Sequence, residues 1–301
     1  MLDALRRPYP GVDRCPYPGP MPSLPPDLVD RAREFARGTG EVSPARDAAT
    51  VVLLRDRPAG PEVYLLRRAP SMAFAAGMYV FPGGSVDPRD ATQETAWAGP
   101  EPKRWAELLG CDDELARALV CAAVRETFEE SGILLAGASP GDVVADTTAA
   151  DWEDDRLALL DRSLSLAEML SRRGLVLRSD LLRVWGHWIT PEFEPRRFDT
   201  RFFVAAVPDG QRTRDVGGEA DQVVWLPVSE AVRRHDSGEL AMLPPTAVTL
   251  RELTAYDGVP AVLAAARHVV PLMPRAVVEG DDVRLVLDRP DGEQPADEVV
   301  L

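Results

Sequence analysis

The chain has 301 residues, a formal net charge of −15 and three cysteines. This length can bury one substantial core with additions, while the acidic balance argues against general nucleic-acid binding, which leaves a basic footprint. Cys15, Cys111 and Cys121 form neither a disulfide framework nor a zinc spacing, and neither a spanning apolar run nor a signal-peptide pattern is found, so a cytoplasmic protein without membrane attachment is expected.

Residues 1 to 26 are rich in proline and read as an extended arm, followed by a helix beginning near Asp27 in "PPDLVDRAREFARG". "AATVVLLRD" and "PEVYLLRRA" are β-rich runs joined by Pro58, Ala59 and Gly60, which predicts a hairpin. "YVFPGGSVDPRD" reads as a short strand entering a Pro-Gly-Gly turn, where paired glycines permit positive φ and close approach of a ligand. "EPKRWAELLG" fits a short helix, and residues 149 to 173 look helical and polar.

Further on, "LLRVWGHWIT" and "RFFVAAVP" read as two strands, and "ADQVVWLPVSEAVRRH" as a strand leading into a helix that Ser229 could cap. "PPTAVTLRELTAY" and "VPAVLAAARH" fit two closing helices. "PRAVVEGDDVRLVL" predicts a terminal hairpin around Gly280 and Asp281, and the last dozen residues read as disordered.

The densest chemical signal is "VRETFEESGI", Val124 to Ile133. On a helix, positions i, i+3 and i+4 share a face, so Glu126, Glu129 and Glu130 point together. Val120, Val124 and Phe128 fall on the opposite face and predict one buried side. Asp112 or Asp113 is the expected N-cap and Gly132 the C-terminal stop. Like charges at these spacings cost roughly 0.2–0.5 kcal/mol per pair on an isolated helix. Such a cluster is ordinarily a solvated acidic face. The alternative is a divalent-cation site, since hard cations take oxygen ligands and would turn the repulsion into binding.

The glycine turn followed by this helix resembles the Nudix hydrolases. Gly84 and Asp90 fit the first half of the Nudix box; Arg125, Glu126, Glu129, Glu130, Gly132 and Ile133 fit the second. Three departures stand out. Asp90 replaces the first Glu, Thr127 replaces an apolar residue, and an insertion of about residues 91 to 113 splits the box. A split box resembles the coenzyme A diphosphatase-like branch, as do "WITPEFEPRRFDTRFFVA" and "LPPTAVTLREL".

The resemblance implies an α/β fold: a Nudix α/β/α sandwich with a mixed β-sheet, a helical insertion within the box and C-terminal helices. The implied organisation is an arm and helix over 1–45, a Nudix domain over 46–270 with a second excursion at about 140–180, and a hairpin with tail over 271–301. It implies a Mg²⁺- or Mn²⁺-dependent hydrolase of a small-molecule diphosphate, coenzyme A or acyl-coenzyme A first. A nucleotide sugar or dinucleotide is the alternative substrate, and a ligand sensor without turnover the alternative function.

Glu126, Glu129, Glu130 and Gly84 are the implied metal site, with Arg125 orienting Glu129. Glu126 is also a candidate general base. Glu219 and Asp221, ahead of the "VVW" strand, are loop candidates for that base, and Asp199 is a weaker one. Arg196, Arg197 and Arg201 are candidate substrate contacts. Trp185, Trp188, Phe202 and Phe203 read as sheet core rather than base-stacking groups, and His187 is given no role. Homodimerisation is left open.

Overall fold

A computed structural model describes residues 26–38, 40–72, 75–92, 94–214, 220–280, 282–287 and 299–300. The expected N-terminal arm, Cys15 and Glu219 lie outside these residues, as does most of the tail. In chain order the elements begin with α1 (Pro26–Ala36), β1 (Ala45–Arg57), β2 (Gly60–Arg68), β3 (Tyr79–Val80), β4 (Gly83–Ser85) and α2 (Pro88–Thr92). The two excursions and the box helix follow: β5 (Trp97–Ala98), α3 (Pro102–Leu109), α4 (Asp113–Ser131), β6 (Ala136–Gly137), α5 (Ala150–Leu160), α6 (Leu166–Arg173) and β7 (Val176–Arg178). Next come β8 (Arg183–Ile189), β9 (Arg197–Ala206) and β10 (Ala220–Pro227), then α7 (Val228–Asp236), α8 (Pro244–Leu253) and α9 (Val259–Ala264). The chain closes with β11 (Pro271–Leu272), β12 (Pro274–Glu279), β13 (Asp282–Leu287) and β14 (Val299–Val300).

The main sheet runs β10-β2-β1-β9-β8-β11, with β3 added to β2 and β4 to β1. It is mixed. The β1–β2 hairpin is antiparallel, whereas β1 and β9 run parallel from Ala45↔Arg197 to Leu54↔Ala206. Alternation along β1 and β9 divides two cores. Val51, Leu53 and Phe203 pack with α3, α4 and α6; Val52, Leu54 and Val204 pack with α1, α7, α8 and α9. Helices therefore cover both faces, as the α/β/α expectation required.

Local chemistry explains the main helix ends. The Asp112 side chain accepts from Leu115 N at 2.8 Å, and Gly132 takes φ 75° after the last turn of α4. Ser229 caps nothing: it lies inside α7, whose N-cap is Pro227 with no side-chain bond. The expected one-sided α4 is also corrected. Residues 118 to 124 are all buried to 1% exposure or less. The small residues Ala118, Ala122 and Ala123 let sheet and insertion helices close around it, which a one-faced apolar stripe does not reveal. Thr127 settles in this dry setting because its hydroxyl donates to Ala123 O one turn back, at 2.7 Å. At the C-terminus the hairpin forms as β12–β13, and β14 pairs with β13 within the segment expected to be disordered. Among the described residues no helix is long and apolar enough to cross a membrane.

The insertion belongs to the core. Trp105 of α3 is 2% exposed and meets Phe203 of β9 edge-on, ring centroids 5.8 Å apart. Trp105→Ala is expected to cost about 3–5 kcal/mol, the usual loss for a buried aromatic. Equilibrium urea unfolding checks this; a loss under about 1 kcal/mol would mean that α3 is loosely attached.

Candidate active site

Arg125 is the centre of the site. Its guanidinium is almost buried and reaches three segments at once. It pairs with Asp90 of α2 at 3.0 Å, with Glu126 at 2.7 Å and with Glu129 at 3.2 Å, and donates to Ser85 O at the end of β4 at 2.9 Å. Three carboxylates thus face one guanidinium. Burial alone would lower the Arg125 pKa, but Glu126, Asp90 and Glu129 raise it above its usual value, so it stays charged. Burial, then repulsion from Glu126, pushes the Glu129 carboxyl above its usual range against the pull of Arg125. Asp90 is pushed up by burial in the same way.

The last turn of α4 is fixed from outside. Helix ends leave carbonyls without intrahelical partners. Arg156 of α5, itself 3% exposed, donates to Glu129 O at 2.9 Å while Glu153 holds its other nitrogens. Tyr64 Oη reaches Glu130 O at 3.4 Å. Glu130 is held from the front, where its Oε2 accepts from Gly83 N at 2.8 Å.

Gly83 and Gly84 are extended residues of β4, paired with Thr50 and Ala49. Neither takes the positive φ that paired glycines permit. They are small because space is short. A Cβ on Gly83 would stand 2.6 Å from Ala49 O, and one on Gly84 would collide with the Glu126 carboxylate.

These groups line a cleft of about 450 Å³. Its lining includes Glu126, Glu129, Glu130, Gly83 and Gly84 and, among apolar groups, Leu28, Phe81, Trp188, Phe202, Leu243 and Pro244. Trp188 and Phe202 line the cleft, while Trp185 and Phe203 pack in the two cores.

Of the three arginines expected at the substrate, the cleft takes only Arg196. Strand alternation separates the others. Phe198, Thr200 and Phe202 face the cleft, so Arg197 and Arg201 point away. Arg197 is committed to Thr190 O and Ser43 O, and Arg201 to Asp199. The weaker base candidate Asp199 shares that turned-away face and bonds His187 Nε2 at 2.5 Å. Burial would raise its pKa, but His187 and Arg201 hold the carboxyl below its usual range. Asp221 is removed from the cleft too, locked to Arg67 at 2.7 and 2.8 Å, which keeps its pKa low.

The sequence fits Asp90 to the box and gives it no role; the structure makes it the anchor of Arg125. Its box position was the available signal. Arg156 and Arg162 come from the second excursion, where no pattern marks them.

The donor set suits a hard divalent cation, being carboxylate oxygens beside exposed backbone. As the side chains stand, no three His, Cys, Asp or Glu groups among the described residues converge on one ion position. Arg125 draws in Glu126 and Glu129, and Gly83 holds Glu130.

Residues 103–253 match the family model described as the NUDT19 Nudix domain. The chain is 28% identical over 235 residues to a Homo sapiens protein named acyl-coenzyme A diphosphatase NUDT19, the match covering 65% of this chain and 61% of that protein. It is 24% identical over 232 residues to the Xenopus laevis protein of the same name, covering 65% and 60%. The match thus spans about 60% of the length of these relatives. A crystal structure of a Nudix hydrolase from Alicyclobacillus acidocaldarius superposes with a TM-score of 0.62 at 32% identity, over 76% of this chain and 99% of that one.

The two glycines give opposite expectations. Gly84→Ala meets only the movable end of Glu126, so thermal stability should hold while Mn²⁺ affinity falls. Gly83→Ala meets the backbone of β1, so the melting temperature itself should drop. Thermal melts and Mn²⁺ titration monitored by electron paramagnetic resonance separate the two; equal behaviour of both variants would contradict this packing.

Proposed function

The chain belongs to the Nudix hydrolases, and from that premise we propose that it is a divalent-metal-dependent diphosphatase acting on coenzyme A or acyl-coenzyme A. The observation carrying this reading is one cleft lined both by the carboxylates of α4 beside β4 and by apolar side chains from α1, β8, β9 and the start of α8. A diphosphate with a pantetheine arm has the same two-part character. Members of this family generally use divalent metal ions, and the acyl-coenzyme A activity in the names of the frog and human relatives supports the choice of substrate.

Glu126, Glu129 and Glu130 would hold Mg²⁺ or Mn²⁺, with the Gly84 backbone beside them. A bound divalent ion would neutralise diphosphate oxygens and lower the pKa of the attacking water. Arg125 keeps the glutamates in place and is itself kept in place by Asp90. Glu126, which retains access to the cleft, and Glu219 are the candidate general bases. Arg196 on the cleft wall is the candidate partner for the 3′-phosphate of coenzyme A.

Hydrolysis should release adenosine 3′,5′-bisphosphate and 4′-phosphopantetheine, or its acyl form. Chromatography of products from a panel of diphosphate compounds tests this. Inertness toward coenzyme A and its thioesters, with brisk cleavage of nucleotide sugars or dinucleotides, would overturn the substrate; inertness toward the whole panel would favour a sensor.

Glu130→Gln keeps an oxygen for Gly83 N–H, so the fold should persist while kcat falls at least a hundredfold in saturating Mg²⁺. Wild-type turnover in this variant would remove α4 as the metal site. Glu219→Ala should lower kcat about 10²–10⁴-fold if Glu219 is the base; a near-normal rate would leave Glu126. Coenzyme A lacking the 3′-phosphate should be a poorer substrate, and Arg196→Ala should erase most of the difference between the two.

A further inference from the structure

Arg162 follows the C-cap of α5 and stands on the cleft wall. Its φ is +64°, a left-handed backbone that helices usually assign to glycine at this place. A side chain with a Cβ is disfavoured there, and such outliers cluster at functional sites. The turn is held nonetheless. Arg162 N donates to Leu159 O at 2.9 Å, Ser163 N to Asp161 at 2.8 Å, and Leu164 N to Ala158 O at 3.0 Å.

A longer chain of contacts ties this turn to the glutamates. Arg89 donates to Arg162 O at 3.1 Å and forks onto Asp87. Asp87 N donates to Asp90, and Asp90 pairs with Arg125, which holds Glu126 and Glu129. The Arg162 backbone is thus braced against the same framework as the carboxylate end of the cleft. Three other cleft cations are already engaged: Arg125 by three carboxylates, Arg156 by Glu153, Arg89 by Asp87; Arg196 is the one assigned above to the 3′-phosphate. Among the described residues the Arg162 guanidinium has no hydrogen-bond or ion-pair partner.

We propose that Arg162 is a substrate-binding residue that grips the diphosphate itself. A planar guanidinium suits bidentate contact with phosphate oxygens. The strained backbone delivers it into the cleft, and the Arg89–Asp87–Asp90–Arg125 chain keeps it in register with the carboxylates. The proposal rests on the diphosphatase reading above.

The test uses Arg162→Gly, in which the left-handed backbone becomes favourable and only the cation is lost, with Arg162→Lys as the conservative partner. Coenzyme A and coenzyme A lacking the 3′-phosphate are compared as substrates. Arg162→Gly should melt no lower than wild type, yet lose at least tenfold in kcat/KM on both substrates by the same factor. Arg162→Lys should retain more activity than Arg162→Gly. Unchanged kcat/KM in Arg162→Gly would overturn the proposal, as would a loss confined to coenzyme A, which would put Arg162 on the 3′-phosphate. If wild type turns over neither compound but cleaves another diphosphate, the coenzyme A reading fails. The same comparison on that compound then decides Arg162, with the tenfold loss again expected and its absence overturning the role.

Discussion

A single buried guanidinium organises the acidic end of this molecule. Arg125 gathers Asp90, Glu126 and Glu129 from two helices and takes the carbonyl of Ser85 from β4. Taking one partner away would leave buried charge uncompensated, which is ordinarily more costly than never having buried the pair. The interaction therefore does more for geometry than for net stability. It fixes α2, α4 and β4 against one another and keeps several carboxylates close together despite their repulsion. The glycines of β4 complete the constraint, because any side chain there would displace either β1 or Glu126.

Around that framework the additions to the fold shape the cleft. The insertion that splits the box supplies α3, whose Trp105 enters the core, while Asp87, Arg89 and Asp90 precede it. The second excursion supplies Arg156, which fixes the carbonyl end of α4, and Arg162. α1 and α8 contribute the apolar wall through Leu28, Pro244 and Pro245. A minimal sheet-and-helix unit would hold the glutamates but lack these cleft-lining side chains.

Much of this was legible in the sequence, and the failures have identifiable causes. Strand alternation, the Pro-Ala-Gly hairpin and the Asp112 and Gly132 helix signals act locally, so local reading finds them. The spacing of Arg125, Glu126, Glu129 and Glu130 is fixed by one helix and is equally visible. The glycine pair suggests positive φ and close approach of a ligand; the structure shows no positive φ and a close approach to β1 and Glu126, which depends on partners distant in sequence. Arg196, Arg197 and Arg201 looked like one cluster because they are close in sequence, but a strand turns alternate residues to opposite faces. The burial of α4 on nearly all sides was hidden because it depends on elements from both excursions.

The central claim is that the α4 carboxylates, held by Arg125 and Asp90, form one divalent-cation site facing β4. Anomalous diffraction from crystals soaked in Mn²⁺ tests it most directly. The expected result is a manganese peak contacting Glu126, Glu129 and Glu130 beside Gly84, with Arg125 still paired to Asp90. A peak elsewhere, or none in this cleft at saturating Mn²⁺, would contradict it.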